Sequence, residues 1–171
     1  MAQQSHQFFE LLKNDHRRAE QLMQQVSAAS REQRQEPFIT LRNELQAHFQ
    51  IEEKFFYPKL LPIQDMKALV EDALDEHQEA KDLLSQLERI GFAAKDWQET
   101  FSELEDGIRH HHEDEEQEIF PKCTQFLKDQ ELTDMARKSV QEKEHFLTRA
   151  AKSSSARPGA RRKPTGKEIH P

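Results

Sequence analysis

This chain of 171 residues contains one cysteine, one tyrosine, one tryptophan and four glycines. With Cys123 as the lone thiol there is no partner for an intramolecular disulfide, which points to a reducing compartment. The opening residues, MAQQSHQFFELLKND, lack both the basic start and the apolar centre of a secretory signal. No apolar run approaches the ~18 residues of a membrane span. The expectation is a cytoplasmic protein with no membrane partner. Scarce glycine, beside abundant Glu, Gln, Lys, Leu and Ala, argues against a strand-rich fold and for an all-α one.

A surplus of positive charge is also missing from most of the chain. The net charge is −7, yet residues 152–171 carry six basic side chains against Glu168, leaving −12 on residues 1–151. An acidic body of that kind excludes a nucleic-acid partner. The last segment, KSSSARPGARRKPTGKEIHP, has no apolar periodicity and reads as a disordered basic tail over 152–171, following a single domain over 1–151.

Apolar residues recur instead at helical spacing. Phe8, Leu12, Ala19, Met23 and Val26 predict a first helix from about Ser5, a plausible N-cap, to Ala29. Phe38, Leu41, Leu45, Phe49 and Phe56 mark a second, with Pro37 in its first turn and Pro58 and Pro62 ending or bending it. Met66, Leu69, Ala73, Ala80, Leu84 and Leu87 mark a third, with Gly91 as its C-cap. Trp97, Phe101, Leu104, Ile108 and Ile119 mark a fourth, and DQELTDMARKSVQEKEHFLTRA predicts a shorter fifth.

An internal repeat relates these stripes. A shift of 63 residues places Phe38 on Phe101, Leu45 on Ile108, His48 on His111, Glu52 on Glu115 and Pro58 on Pro121. A shift of 61 places His16 on His77, Ala19 on Ala80 and Val26 on Leu87. Two related amphipathic hairpins that must bury their stripes predict an up-down four-helix bundle.

Each bundle helix then carries a histidine in its apolar stripe. His48 with Glu52, and His111 with Glu115, stand four residues apart and so share a helix face. Four imidazoles and two carboxylates are costly to bury without compensation, and that donor mixture suits iron, with zinc or manganese chemically allowed. Two carboxylates able to bridge suggest a two-metal centre. His110 and His112 flank His111 at about 100° on either side, so at most one shares its inward face. His112 with Glu116 is a rival pair at the same spacing, and His111 with Glu116 a further combination. Glu53, Glu113, Asp114, Glu116 and Glu118 read as a solvated face or as partners of the ligands.

The stretches NDHRRAEQL, HFQIEEKFFYP, DEHQEAKDLL and HHHEDEEQEIFP together resemble the hemerythrin-like, or HHE cation-binding, domain over about residues 5–128. The resemblance implies metal ligands at His16, His48, Glu52, His77, His111 and Glu115. It also implies two non-haem iron ions joined by an oxo or hydroxo bridge, with both carboxylates bridging. Oxygen-carrying members have a second histidine one turn after the first in the third helix. Here that position is Lys81, which as an ammonium has no lone pair to offer. Either one iron has an extra open site, or Glu20, Glu79 or His112 substitutes.

The function implied is binding of O2 or a related small molecule, for sensing, storage or delivery, more than dedicated enzymatic turnover. The alternatives are an enzyme that reduces or detoxifies nitric oxide or peroxide, and an interaction module without metal. The residues leave the oligomeric state open and are compatible with a monomer. Tyr57 and the surrounding phenylalanines read as core packing, with a hydrogen bond from Tyr57 to a bound oxygen ligand as the lesser alternative, since Tyr57 stands beside Pro58 at a helix end. Cys123 reads as a semi-buried structural thiol, and His6, His145 and His170 as exposed.

Overall fold

The structure, a computed structural model, describes residues 7–155. Helix α1 spans Gln7–Ala28 and α2 spans Gln35–Ile51. Helix α3 spans Gln64–Ile90, α4 spans Trp97–Asp114 and α5 spans Asp129–Ser155. Helix α1 packs along α2 and α3 along α4, so the two predicted hairpins are formed, and α5 lies across α1 and α2. Among the described residues no helix is long and apolar enough to cross a membrane.

Helices α2 and α4 do not end at their last α residue. Each continues through one π-helical segment, Glu52–Phe56 and Glu115–Ile119, and then one more α turn, Tyr57–Leu60 and Phe120–Cys123. The segments are 63 residues apart, so the repeat extends to the backbone. A proline follows each at the start of the closing turn. Pro58 and Pro121 have no N–H with which to continue an i→i−4 ladder, and the wider i→i−5 register accommodates them. Tyr57 N–H bonds the Glu52 carbonyl and Phe120 N–H the Glu115 carbonyl. Pro58 and Pro121 do not end the helices; they follow a local widening that begins at a buried glutamate, and the extension of α2 ends at Leu60, just before Pro62.

The core is divided in two. One apolar cluster contains Phe8, Leu12, Ile51, Phe56, Ala73 and Ile119, and the other contains Ala19, Leu45, Phe49, Ala80, Phe101 and Ile108. Every bundle helix crosses from one cluster to the other at its histidine: Leu12–His16–Ala19, Ile51–His48–Leu45, Ala73–His77–Ala80, Ile119–His111–Ile108. A polar layer is therefore sealed above and below by hydrocarbon.

Helix α3 stops where predicted. Gly91 has φ +80°, the left-handed region that glycine enters without steric cost, and its N–H bonds the Leu87 carbonyl. Helix α5 corrects the expectation of a short helix: its 27 residues equal α3. Helix-forming Ala, Lys, Arg and Glu continue along it with no glycine or proline before Pro158. The helix also takes in Lys152–Ser155, placed in the tail by composition. Ser5, His6, His170 and the remainder of the tail lie outside the described residues.

Candidate metal centre

His16, His48, His77 and His111 are all buried, and so are Glu52 and Glu115, at 0 % exposure. All six expected residues meet in the polar layer. The Nε2 atoms of His48 and His77 each lie 3.2 Å from Glu52 Oε2. Glu115 Oε2 is 3.3 Å from His16 Nε2 and 3.6 Å from His111 Nε2. Each carboxylate thus spans two imidazoles from different helices.

Behind the imidazoles stands a second set of carboxylates. His16 Nδ1 donates to Glu116 at 2.7 Å, His77 Nδ1 to Glu53 at 2.9 Å and His111 Nδ1 to Glu76 at 2.8 Å. Asp15 Oδ2 faces His48 Nδ1 at 3.5 Å, slightly beyond a formed bond. A carboxylate on Nδ1 keeps the proton there and turns the Nε2 lone pair inward, which is how histidine ligands are oriented. The repeat relates these pairs as well: Asp15 of α1 reaching α2 matches Glu76 of α3 reaching α4, and Glu53 reaching His77 matches Glu116 reaching His16. Glu53 and Glu116 belong to the predicted set of partners. Asp15 and Glu76 went unnoticed, although the shift of 61 residues superposes one on the other and would have found them.

His112 and Tyr57 complete the layer. His112 is buried, whereas His110 is exposed and faces Asp114, so one neighbour of His111 does share its inward side. Glu116 lies at the edge, half-exposed, bonded to His16. The His112 ring stacks on His16 with centroids 3.8 Å apart. Tyr57, read from sequence as packing at a helix end, is 1 % exposed and donates its hydroxyl hydrogen to Glu115 Oε1 at 2.8 Å. The π register carries it inward, which periodicity of 3.6 could not foresee. Lys81 points away and bonds Glu53 on the outer side. Cys123 is fully buried rather than half-buried, with Sγ donating to the Phe120 carbonyl, and His145 is exposed as expected.

The electrostatics of this layer suit a cation. Burial pushes the Glu52 carboxyl well above its usual range, with the neighbouring Glu115 charge adding to it. Burial acts on Glu115 in the same sense, but His111 and His16 outweigh it and hold that carboxyl well below. Burial lowers His48, lowers His77 to about 4 and takes His112 well below the usual histidine value, so these imidazoles are neutral at pH 7, the form that binds metals. For His111 burial is outweighed by Glu115 and Glu76, which raise it. His77 Nε2 and His111 Nε2 face each other at 3.0 Å. With both Nδ1 atoms protonated, either a proton shared between the two Nε2 atoms or a bound cation satisfies that contact.

Several buried donors and acceptors have no hydrogen-bond partner: His16 Nε2, His48 Nε2, His112 Nε2, both oxygens of Glu52 and Glu115 Oε2. Orphans of that number in one layer would cost several kcal/mol. All belong to groups with metal-holding geometry, one of His16, His48 and His112, one of His16, His48, Glu52 and Glu115, and one of Glu52, His77 and His111. Separations of 3.0–3.6 Å match the edge of a coordination shell with bonds of about 2.1 Å. The residues fit two metal ions bridged by glutamates.

Fold and donor set together define a carboxylate- and histidine-lined two-metal helical bundle. The family model described as the hemerythrin HHE cation binding domain matches residues 7–123. The chain belongs to that hemerythrin-like family. Among solved structures it is similar to a hemerythrin HHE cation binding domain-containing protein from Mycobacterium kansasii, with 25 % identity and a TM-score of 0.76 over 86 % of this chain and 91 % of that one. No curated protein matches the chain significantly.

Proposed function

We propose that the protein holds two iron ions through His16, His48, Glu52, His77, His111 and Glu115 and binds O2 or a related small molecule at that centre. The observation that carries this is the convergence of inward Nε2 lone pairs on two carboxylates, with orphaned atoms at the meeting point and carboxylates behind the imidazoles. Bound iron supplies the redox and ligand-binding chemistry. The chain's own residues orient the imidazoles through the carboxylates on their Nδ1 atoms, keep the two glutamates between them and exclude bulk water with the flanking Phe49, Phe56 and Phe120. Sensing, storage and delivery all draw on that one property.

The test is metal analysis of the purified protein with its oxidised optical spectrum, followed by anaerobic reduction and exposure to O2. About two irons per chain and a reversible spectral change support binding. Fewer than one iron per chain at saturation refutes the centre. A second reading, reduction or breakdown of nitric oxide or peroxide, draws support from Lys81, which is engaged by Glu53 and offers the metals no donor. Rapid irreversible oxidation with sustained peroxide or nitric oxide consumption would favour that reading over reversible binding.

A further inference from the structure

The repeat that builds the centre is broken at two positions, and both breaks favour the same metal. The shift of 63 residues pairs Phe49 with His112 and Tyr57 with Phe120. These four side chains cover equivalent faces of the layer. The Phe49 ring lies over His77 at 4.1 Å, and the His112 ring lies over His16 at 3.8 Å. Tyr57 flanks His77 at 5.4 Å, and Phe120 flanks His16 at 6.0 Å. The six donors and their carboxylate partners are matched: His16 with His77, His48 with His111, Glu52 with Glu115, Asp15 with Glu76 and Glu53 with Glu116.

We propose that His112 is a third imidazole ligand to the metal held by His16 and His48, so that exogenous ligands bind only the metal held by His77 and His111, beside the Tyr57 hydroxyl. This rests on the two-iron reading above. His112 is 8 % exposed, its Nε2 has no hydrogen-bond partner, and one of its ring nitrogens lies within 4.8 Å of the donors of His16 and His48. The equivalent phenyl of Phe49 has no donor, so the other metal is one ligand poorer. Tyr57 brings to that poorer metal the one hydroxyl its counterpart lacks: its oxygen lies 3.5 Å from His77 Nε2 while bonding Glu115. A ligand arriving there meets the Tyr57 hydroxyl, whose proton can turn to it from Glu115 Oε1.

The surroundings agree with that polarity. Glu53, which holds His77, lines an open groove of about 690 Å³ together with Lys81, Lys54, Gln46, Gln50 and Phe146. The groove brings solvent to the outer side of Glu53, the carboxylate behind His77, and its two ammonium groups are paired with Glu53 and Glu142. His112 in turn accounts for the histidine missing at Lys81: the third imidazole has moved to the other metal instead of being lost.

Azide is a suitable probe, because its charge-transfer absorption on ferric iron counts binding sites directly. Native protein with two ferric ions is expected to take one azide per centre. His112→Phe, which makes the halves alike, should still hold two irons at saturation and take two azides. Phe49→His should take none, or bind azide at least 10-fold more weakly. Tyr57→Phe should keep the stoichiometry of one and weaken azide. Two irons with an unchanged azide count in both His112→Phe and Phe49→His overturns the assignment while leaving the two-iron centre standing. A native protein without iron overturns both.

Discussion

Replacing Lys143 with alanine tests whether α5 is fastened to the metal layer or only rests against it. The Lys143 ammonium bonds Asp15, whose carboxylate faces His48, and also lies 3.0 Å from Glu44. Lys143 is 20 % exposed, Asp15 11 % and Glu44 21 %, so screening by water is weak but real. Breaking a fully buried ion pair costs about 3–5 kcal/mol and an exposed one about 0.2–1. The intermediate burial and the two carboxylates left facing each other place the loss at about 2 kcal/mol, or a fall in Tm of about 4–8 °C for a chain of this size. Asp15→Asn with Lys143→Ala removes the stranded charge along with its partner. The double variant should recover part of the loss, with a coupling of about 1 kcal/mol in urea unfolding. A single-variant loss under about 0.5 kcal/mol, or no coupling, would refute the idea that this lysine ties α5 to the His48 side of the centre.

Chelating the metals should lower stability by about 2.7 kcal/mol per site whenever free metal had stood at about 100 times its Kd, read as a drop in Tm that returns on adding ferrous iron. Glu53→Gln and Glu76→Gln each weaken the hold on one imidazole, His77 or His111. Each should reduce metal affinity about 10–100-fold in a competition titration while leaving the saturating stoichiometry unchanged. Cys123 supplies a pH test. Burial pushes its thiol up to about 12 from an unperturbed 9.0. The stability due to keeping that thiol neutral is complete below pH 9 and is lost as pH rises toward 12, at up to about 1.4 kcal/mol per pH unit. Comparing native protein with Cys123→Ala between pH 9 and 10.5 should show that slope only in the native chain, and slow alkylation of the native thiol at pH 8 is expected from the same cause.

Much of the centre was legible in the residues because a helix fixes which positions share a face. The spacings His48 to Glu52 and His111 to Glu115, and the shifts of 61 and 63 residues, bring the six donors to one level without any coordinates. The carboxylates behind the imidazoles were half legible: each of the four adjoins a ligand on its own helix and serves a histidine on another, and only Glu53 and Glu116 stood out in sequence because they follow the glutamate ligands of the 63-residue repeat. Tyr57 is core packing, as its sequence context suggested, but its hydrogen bond to Glu115 was not legible, because the helix continues past Pro58 in a π register. The π register rotates the residues that follow, and no periodic pattern announces that.

By itself the sequence determined the helical class, the pairing of two related hairpins and the kinds of donor atom available, since periodicity and residue chemistry are local properties. Only the tertiary structure decided the order of the layer. His111 and His112 both turn inward where a single helix wheel admitted rival pairs, because α1 and α3 present their imidazoles to different sides of α4. Phe49 and His112 became counterparts with opposite consequences for the same reason. Which ring covers which histidine depends on the packing of four helices around one buried charge cluster, and that is a property of the assembled bundle.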